Sequence, residues 1–487
     1  MAAAGSRTAV CARPDSGRCQ SRHGTEDSVA DNADNSFDLV ILGGGSGGYA
    51  CALRATQLGL RVAMVEKDKV GGTCLHRGCI PTKALLHAAE VADEARSGNT
   101  VGVKTTLEGI DMAAVNSYKD GVVGGLYKGL QGLVTSAGIT VYEGEGHLVG
   151  TDAVQVGDQR LTGRFIVLAT GSYARTLPGL DIGGRVMTSD QALTMDAVPR
   201  SVVIIGGSVI GVEFASVWRS FGADVTIVEA LPHLVPLEDE VLSKQLERAF
   251  RRRGITFKLG AKFTELTQDD DSVTVVLDTG EKVQAEVCLV AVGRGPATDG
   301  LGYAEHGVSV DRGWVTTDER LHTSVPQVFA VGDVVPGLQL AHRGFGHGIF
   351  VAEEIAGRDP MPIVDTTIPR VTYCDPEVAS VGLTEEQARQ HYGDVDTFEY
   401  NLAGNGRSKI LETSGVVKLV REKDGPIVGV HMIGSRMGEQ VGEASLFVNW
   451  EAYPEDVAQF VHAHPTQTEG LGEAALALAG KPLHVHA

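Results

Sequence analysis

Apolar and polar positions alternate along the first part of the chain in the order strand, glycine-rich turn, helix, strand. Residues 37–42 form an almost unbroken apolar run, a helical pattern covers 49–58, and a second apolar run covers 61–65. Continuous apolar strands are typical of parallel sheets that are buried on both faces. The pattern therefore predicts a βαβ unit at the start of the fold.

Glycines stand in the turn of this unit at the spacing of a dinucleotide-binding fingerprint. Gly43 allows the tight turn, Gly45 lets the backbone approach a pyrophosphate, and Gly48 lets the helix pack on the strand. Glu66 ends the second strand, where an acid can hydrogen-bond a ribose. The strand before the glycines and the helix after them make this fingerprint specific.

The same unit recurs at residues 201–229. Gly206 and Gly211 flank Ser208, which replaces the middle glycine of the fingerprint. Glu229 ends the second strand, where an acid prefers a ribose 2′-hydroxyl and repels a 2′-phosphate. No Arg or Lys follows it through His233. The pattern favours NAD over NADP.

A pair of cysteines, Cys74 and Cys79, precedes a further helical pattern in the motif C-x₄-C. A helix N-terminus favours a thiolate, and Gly78 provides the flexibility that a bridge between the two sulfurs requires. A zinc site normally adds a second ligand pair, whereas the other cysteines are scattered singly. The spacing favours a redox pair, with two buried structural cysteines as the alternative.

Three shorter apolar strands end in glycine-bearing turns, at 165–172, 287–294 and 328–333. Such turns are expected at the carboxyl edge of a parallel sheet, where ligands bind. Asp333 can accept a hydrogen bond from a polyol chain, and its alternative role is to cap a turn or a helix.

Composition and charge exclude some classes of protein. The chain has 487 residues, enough for several domains, and its net charge of −20 argues against nucleic-acid binding. No apolar run approaches the roughly 18 residues that span a membrane. Seven cysteines are too few for a disulfide framework in so long a chain, which favours a cytoplasmic protein.

Residues 1–36 are rich in Ala, Ser, Arg and Asp and show no periodic apolar face. This composition predicts a disordered N-terminal extension. The early arginines weakly resemble a transit peptide, but Asp15 and the missing amphipathic period argue against one.

Taken in this order, the two dinucleotide units, the C-x₄-C pair and the strand-end turns resemble the FAD-dependent pyridine nucleotide-disulfide oxidoreductase family over about residues 37–480. The resemblance implies an α/β fold with two Rossmann-like dinucleotide-binding domains, the second inserted in the first, and a C-terminal α+β dimerisation domain. The implied domains are FAD-binding at 37–160 and 297–364, NAD-binding at 161–296, and dimerisation at 365–487. The resemblance implies FAD and NAD as cofactors, a homodimer as the assembly, and no bound metal.

The resemblance also implies roles for individual residues. In the family, a His-Pro-Thr-x-x-Glu segment reaches the partner subunit's disulfide, which makes His464 the acid/base and Glu469 its orienting carboxylate. Histidine titrates nearest to neutral pH, so the chemistry agrees. By analogy of position, Cys74 is the interchange thiol and Cys79 faces the flavin.

Cofactor contacts are implied for the residues of the turns and strand ends. Lys83 is expected beside the flavin, with Glu213 as its ionic partner, because either charge buried alone is costly. The implied contacts are Gly43, Gly45, Gly48, Glu66, Thr73, Lys83, Gly146, Thr170, Gly171, Ser172, Gly206, Gly211, Glu213, Glu229, Gly293, Asp333, Leu340, Ala341 and His342. The chain departs from the family at 343–348, where Lys and acids are usual, so flavin contacts are expected to differ there. His347 is either an extra polar contact or a residue at a helix start.

Within the family, the motifs most resemble the branch that oxidises protein-bound dihydrolipoamide with NAD, which implies a lipoyl-bearing acyltransferase of a 2-oxoacid dehydrogenase complex, or glycine cleavage, as partner. Reductases of small disulfides, such as mycothione or glutathione reductase, are the alternative. A structural flavoprotein subunit is an alternative of another class. Mercuric and large thioredoxin reductases carry a C-terminal cysteine pair, whereas the last cysteine here is Cys374.

Overall fold

The computed structural model describes residues 35–485. Most of the predicted N-terminal extension, residues 1–34, lies outside this range. The first strand begins at Ser36, which pairs with Thr162, so the last residue assigned to the extension belongs to the sheet.

The first unit is a mixed sheet flanked by helices. Its opening elements are β1 (Ser36–Leu42), α1 (Ser46–Gln57), β2 (Val62–Glu66), α2 (Gly72–Arg77), α3 (Cys79–Ser97), α4 (Met112–Ser136), β3 (Thr140–Glu143), β4 (Gly146–Leu148), β5 (Ala153–Val156) and β6 (Gln159–Leu168). Strands β3, β2, β1 and β6 are parallel, while β5 and β4 continue the sheet antiparallel. Leu39 and Ile41 of β1 enter one core cluster, and Val40 and Leu42 enter the cluster on the opposite face. Burial on both faces explains the unbroken apolar run.

The second unit is inserted after β6. Its elements are β7 (Ser172–Ala174), β8 (Val186–Met187), α5 (Ser189–Ala192), β9 (Ser201–Ile205), α6 (Val209–Phe221), β10 (Asp224–Glu229), α7 (Glu240–Arg252), β11 (Thr256–Leu259), β12 (Phe263–Gln268), β13 (Val273–Leu277), β14 (Lys282–Ala285), β15 (Val287–Val290) and β16 (Arg294–Pro296). Strands β11, β10, β9, β15 and β8 form a parallel sheet, and β12 to β14 form a small antiparallel one.

The chain then returns to the first unit. The returning elements are β17 (Val310–Asp311), β18 (Trp314–Val315), β19 (Val328–Ala330) and α8 (Ala341–Ile355). Strand β19 pairs in parallel with β6 and completes the first sheet. A Cβ atom at Gly348 of α8 would lie 2.3 Å from the Gly47 carbonyl oxygen. Helix α8 therefore packs directly on the backbone of α1, beside the first glycine turn.

The C-terminal unit is an antiparallel sheet covered by helices. Its elements are β20 (Arg370–Thr372), β21 (Glu377–Gly382), α9 (Glu385–Tyr392), β22 (Val395–Asn401), α10 (Gly406–Ile410), β23 (Val416–Glu422), β24 (Ile427–Gly434), α11 (Met437–Asn449), α12 (Pro454–Val457) and α13 (Glu469–Leu478). The sheet order is β20-β21-β24-β23-β22, and helices α11 and α13 share its main core cluster. Across residues 35–485, none of the helices combines the length and the apolar character needed to cross a membrane.

The two glycine turns have the same geometry in both parallel units. Gly43 has φ +107° and Gly206 has φ +110°, and a Cβ at either would lie 2.3 Å from a carbonyl oxygen of the neighbouring strand end. A Cβ at Gly48 or Gly211 would lie 1.9 Å from the carbonyl oxygen of the turn glycine. Only glycine fits these positions, so each helix N-terminus is brought close to the end of its strand.

Candidate active site

The cysteine pair lies where two helices meet. Cys74 is in α2, Cys79 is the first residue of α3, and Gly78 between them has φ −142° and ψ −112°. A Cβ at Gly78 would lie 2.9 Å from the Thr73 carbonyl oxygen, so the helix is broken at a residue where no side chain fits. The break places the two thiols, both free in this structure, within hydrogen-bond contact.

The two thiols differ in acidity. The hydrogen bond from the Cys74 thiol, and then the Lys83 ammonium, lower the pKa of Cys79 to about 7 against the opposing effect of burial. The same hydrogen bond and burial raise the pKa of Cys74. The reduced pair therefore carries its negative charge on Cys79, the thiol that the resemblance places against a flavin.

Lys83 and Glu213 form an ion pair between the two dinucleotide units. Lys83 Nζ lies 2.8 Å from both carboxylate oxygens of Glu213, and the backbone N–H of Tyr373 donates to Glu213 Oε1 over 2.9 Å. The Glu213 side chain is 3% exposed. Burial lowers the pKa of Lys83, but Glu213, Cys79 and Tyr373 together outweigh burial and raise it, so the lysine remains an ammonium. The structure thus brings together the two residues that sequence analysis paired.

The first glycine turn and the cysteine helix are joined through their backbones. Gly71 N–H donates to the Gly44 carbonyl over 2.8 Å, and a Cβ at Gly72 would lie 2.7 Å from Gly45 Cα. Glu66 accepts from Gly44 N–H over 2.7 Å and is fixed at the turn. The redox pair is consequently held beside the turn that sequence analysis assigns to a pyrophosphate.

Two observations test whether this region fits FAD. Among residues 35–485, no atom beyond the adjacent residues lies within 4 Å of a Cβ position built at Gly45 or at Gly171, so both turns face open space. The side-chain nitrogen of Gln339, immediately before Leu340, is buried without a hydrogen-bond partner among the described residues. An open glycine cradle and an unused donor beside the N-terminus of α8 suit an anionic, acceptor-rich cofactor.

The three strand-end turns converge in one hydrogen-bonded network. Ser172 Oγ donates to Asp333 Oδ2 over 2.6 Å, and Arg294 donates to the hydroxyl and carbonyl oxygens of Ser172 over 2.7 Å. Thr170 Oγ1 donates to the Ala297 carbonyl over 2.7 Å. Arg294 was not among the predicted site residues. It stands directly after a strand-end glycine, and that position could have indicated a site residue. Burial lowers the pKa of Arg294, while Asp333 opposes that shift.

Helix α8 carries the departure from the family pattern. Ala341 is its first residue, and His342 Nε2 donates to the Pro369 carbonyl over 2.7 Å. His347 lies in the second turn rather than at the helix start, is buried, and its Nδ1 accepts from Gly332 N–H over 3.3 Å. Burial and Arg343 lower the pKa of His347 to about 4, so the ring is neutral. The helix-start interpretation of His347 was wrong, and the residue supports the turn that precedes Asp333.

Gly146 is accounted for by packing inside the first sheet. It is the buried first residue of β4, and a Cβ there would lie 2.7 Å from Val65 Cγ1 and 2.8 Å from Leu42 Cδ1. A contact between Gly146 and a cofactor stays a prediction.

The second nucleotide turn repeats the first. Glu229 is buried and accepts from Gly207 N–H over 2.6 Å and from Leu231 N–H over 2.8 Å. In the described part of the chain, no atom beyond the adjacent residues lies within 4 Å of a Cβ position at Gly293, so the neighbouring strand end is open. Nδ1 of His233 lies 3.0 Å from the buried Glu247 carboxylate. The nearest basic side chain along the chain after Glu229 is therefore engaged by an acid.

The C-terminal histidine forms a dyad with its carboxylate. His464 Nδ1 donates to Glu469 Oε1 over 2.7 Å, and Thr466 N–H donates to Glu469 Oε2 over 2.7 Å. Burial opposes the shift, but these two contacts lower the pKa of Glu469, which keeps it ionised. The His464 side chain is 75% exposed. The second ring nitrogen is thus oriented outwards from this chain.

His462, two residues earlier, is paired separately. Its Nε2 lies 2.9 Å from Glu443 Oε1, and this carboxylate raises the pKa of His462. Its side chain is mostly buried, unlike that of His464. Within residues 35–485, no group of three or more His, Cys, Asp or Glu side chains is arranged to hold a metal ion.

Comparisons with known proteins agree with this geometry. Dihydrolipoyl dehydrogenase of Bacillus subtilis (strain 168) is 41% identical over 470 residues, covering 92% of this chain and 99% of that protein. The mitochondrial dihydrolipoyl dehydrogenase of Pisum sativum is 38% identical over 464 residues and 92% of each chain. The crystal structure of LpdA from Mycobacterium tuberculosis superposes with a TM-score of 0.85 at 25% identity, over 90% of this chain and 99% of that one.

Family models cover nearly all of the described chain. Residues 37–348 match the model of pyridine nucleotide-disulphide oxidoreductases, and residues 368–475 match the dimerisation domain of the same family. The predicted fold class, two dinucleotide-binding units with a C-terminal dimerisation unit, is confirmed. The chain belongs to the pyridine nucleotide-disulphide oxidoreductase family.

Proposed function

We propose that this chain is a dihydrolipoyl dehydrogenase, which oxidises protein-bound dihydrolipoamide to lipoamide and passes two electrons through Cys74 and Cys79 to FAD and then NAD. The observation that carries the proposal is the acidic Cys79 thiol beside the Lys83–Glu213 pair, between two glycine turns. The dihydrolipoyl dehydrogenases that resemble it over most of their length favour this substrate.

The cofactors are FAD and NAD. FAD, when bound, accepts two electrons from the reduced cysteine pair and delivers a hydride to NAD. We assign the first glycine turn, with Gly45 and Glu66, to FAD and the second, with Gly206 and Glu229, to NAD. Both acids are held by backbone N–H groups at their turn. Each would accept hydrogen bonds from the ribose of a nucleotide bound at that turn.

Proton transfer at the substrate is assigned to His464 of the partner subunit. Its Nε2 takes a proton from one thiol of the substrate, while Glu469 stabilises the imidazolium that forms. The substrate thiolate attacks Cys74 of the oxidised pair, and the Cys74–Cys79 bond breaks to release Cys79 as a thiolate. The second substrate thiol then attacks the substrate sulfur of the mixed disulfide and displaces Cys74, which takes up the proton of that second thiol, while the first proton stays on His464. Lipoamide leaves as a cyclic disulfide.

The alternatives fit the site less well. Glutathione-type reductases use a 2′-phosphorylated nucleotide, whereas Glu229, held at the second glycine turn, would repel a 2′-phosphate. A purely structural subunit would not need the acidic Cys79 together with the His464–Glu469 dyad. A small-disulfide reductase that uses NADH is the remaining alternative. An assay of substrates distinguishes it from a dihydrolipoyl dehydrogenase.

The dimerisation domain supports a homodimer. We propose a lipoyl-bearing acyltransferase of a 2-oxoacid dehydrogenase complex as the larger partner. We also propose a cytoplasmic location, because Cys51, Cys288 and Cys374 are buried as free thiols rather than joined in disulfides.

The proposed division of labour between the cysteines predicts their order of alkylation. In the two-electron-reduced holoenzyme, iodoacetamide should label Cys74 several-fold faster than Cys79, because His464 of the partner subunit activates Cys74 while Cys79 faces the flavin. Peptide mass spectrometry after short exposures measures the ratio. The His464→Ala variant serves as control and should lose much of the preference, and labelling of Cys79 first in the parent enzyme would reverse the assignment.

Nucleotide choice should change when the acid of the second turn is replaced. Glu229→Arg combined with Leu231→Arg should raise the selectivity for NADP over NAD, measured as a ratio of kcat/KM values, by about tenfold or more, which corresponds to about 1.4 kcal/mol. The variant removes a hydroxyl contact and the charge that repels a phosphate. Leu231→Arg alone is the matched control and should change the ratio little. A parent enzyme that reduces NADP as readily as NAD would disprove the role of Glu229.

Sharing of the site between subunits predicts complementation of two inactive variants. When Cys74→Ser and His464→Ala chains are unfolded together in equal amounts and refolded, about half of the dimers are mixed, and each mixed dimer has one intact site. Activity should reach roughly a quarter of that of the parent by this count. Each variant refolded alone sets the background. A mixture that stays at background would place His464 in the same subunit's site.

The substrate itself is tested by direct competition of disulfides and dithiols. The parent enzyme should turn over the lipoamide couple faster than glutathione disulfide and mycothiol disulfide analogues. Faster turnover of either of the other disulfides would overturn the dihydrolipoyl assignment, while the family and the redox pair would stand.

A further inference from the structure

Tyr373, in the connection between β20 and β21, contacts both members of the Lys83–Glu213 pair. Its backbone N–H donates to Glu213 Oε1 over 2.9 Å, and its ring centroid lies 4.6 Å from Lys83 Nζ. One residue of the C-terminal unit therefore fixes an ion pair whose two charges come from the first and second units.

The segment that carries Tyr373 is itself anchored to the second unit. Asp375 N–H donates to Ser216 Oγ of α6 over 3.2 Å, and Arg253 Nη1 donates to the Asp375 carbonyl over 2.9 Å. Cys374 is buried in the same core cluster as Phe214 of α6. These contacts lie within two residues of Tyr373, so the position of its ring is set by packing between units.

The ring has a physical effect on the ammonium it covers. A cation over an aromatic face is attracted by the ring quadrupole, and a lysine side chain otherwise has considerable rotamer freedom. The Lys83 side chain is 30% exposed, so burial alone does not confine it. Glu213 holds the ammonium on one side and the Tyr373 ring on another, which leaves Lys83 close enough to Cys79 to act on its charge.

We propose that Tyr373 is a positioning residue for the redox pair: its ring holds the Lys83 ammonium against Glu213 and thereby beside Cys79. The inference rests on the proposed function only in taking Cys79 as the thiolate of the reduced pair, and it is independent of the thiol substrate. In this role Tyr373 acts on the redox pair through Lys83.

The test titrates Cys79 in the flavin-loaded dimer. In a Cys74→Ser background, the long-wavelength absorbance that a thiolate produces beside a flavin reports ionisation of Cys79 as a function of pH. The charged side chains that act on the Cys79 thiol are Lys83, Glu213 and Arg294. Glu377 and Glu439 act on Tyr373. All five are unchanged in every variant, so differences between the titrations report the substituted ring.

Loss of the ring should shift this titration to higher pH. An ammonium near a thiol stabilises the thiolate, so Tyr373→Leu, which frees Lys83, should raise the pKa of Cys79 by roughly half a unit. Tyr373→Phe keeps the aromatic face and should leave the titration unchanged, and Tyr373→Trp should lower the midpoint or keep it. Tyr392→Leu, at the exposed end of α9, is the matched control for removal of a tyrosine and should have no effect.

Three outcomes would overturn the proposal. The first is a Tyr373→Leu titration that coincides with that of the Cys74→Ser parent, and the second is a Tyr373→Phe shift equal to the Tyr373→Leu shift, which would assign the effect to the hydroxyl. Tyr373→Met provides a second non-aromatic side chain. The third outcome is loss of the folded dimer in both Tyr373→Leu and Tyr373→Met, because this result would show that Tyr373 is needed for folding. None of these outcomes depends on turnover of lipoamide, so failure of the substrate assignment is distinguishable.

Discussion

The buried ion pair between Lys83 and Glu213 is the interaction on which the arrangement of the site depends. A carboxylate that is 3% exposed is stable only when its oxygens are satisfied, and here two contacts from one ammonium and one from a backbone N–H satisfy them. Removal of any partner would leave an uncompensated buried charge. The pair therefore fixes helices α3 and α6 and the segment around Tyr373 in one relative position. Cys79, the first residue of α3, is placed with them, and Cys74 of α2 lies against it.

A second constraint appears twice, once in each parallel unit. The acid that ends the second strand accepts a hydrogen bond from the N–H of the second glycine of the turn, over 2.7 Å for Glu66 and 2.6 Å for Glu229. The carboxylate orientation is therefore set before a nucleotide binds, and little side-chain freedom is lost on binding. The same contact ties strand end to turn, so in the proposed assignment nucleotide recognition and local backbone geometry have a common origin.

Local sequence carried enough information to predict the two βαβ units, because strand, turn and helix signals lie within about thirty residues of one another. The cysteine pair and the His464–Glu469 dyad were found for the same reason. The contact between Lys83 and Glu213, which are 130 positions apart, was predicted from the resemblance to the family, whereas other contacts between distant segments were not. Arg294 meets Ser172 across 122 positions, and Tyr373 meets Glu213 across 160. Arg294 follows a strand-end glycine, but that local pattern does not identify its partner, and Tyr373 stands in no local pattern that distinguishes it from a surface side chain.

The position of His464 links catalysis to assembly. The histidine is 75% exposed in one chain, and nearby Phe460 and Val461 are 63% and 98% exposed. Apolar side chains this exposed are costly in water, and their burial between two subunits would stabilise a dimer. In the proposed dimer, the surface that gains stability from apolar burial is also the surface that presents the outward ring nitrogen of His464 to the other subunit. The free energy of apolar burial then both stabilises the association of the subunits and completes the site. A monomer would therefore lack both the stabilising contact and a complete site.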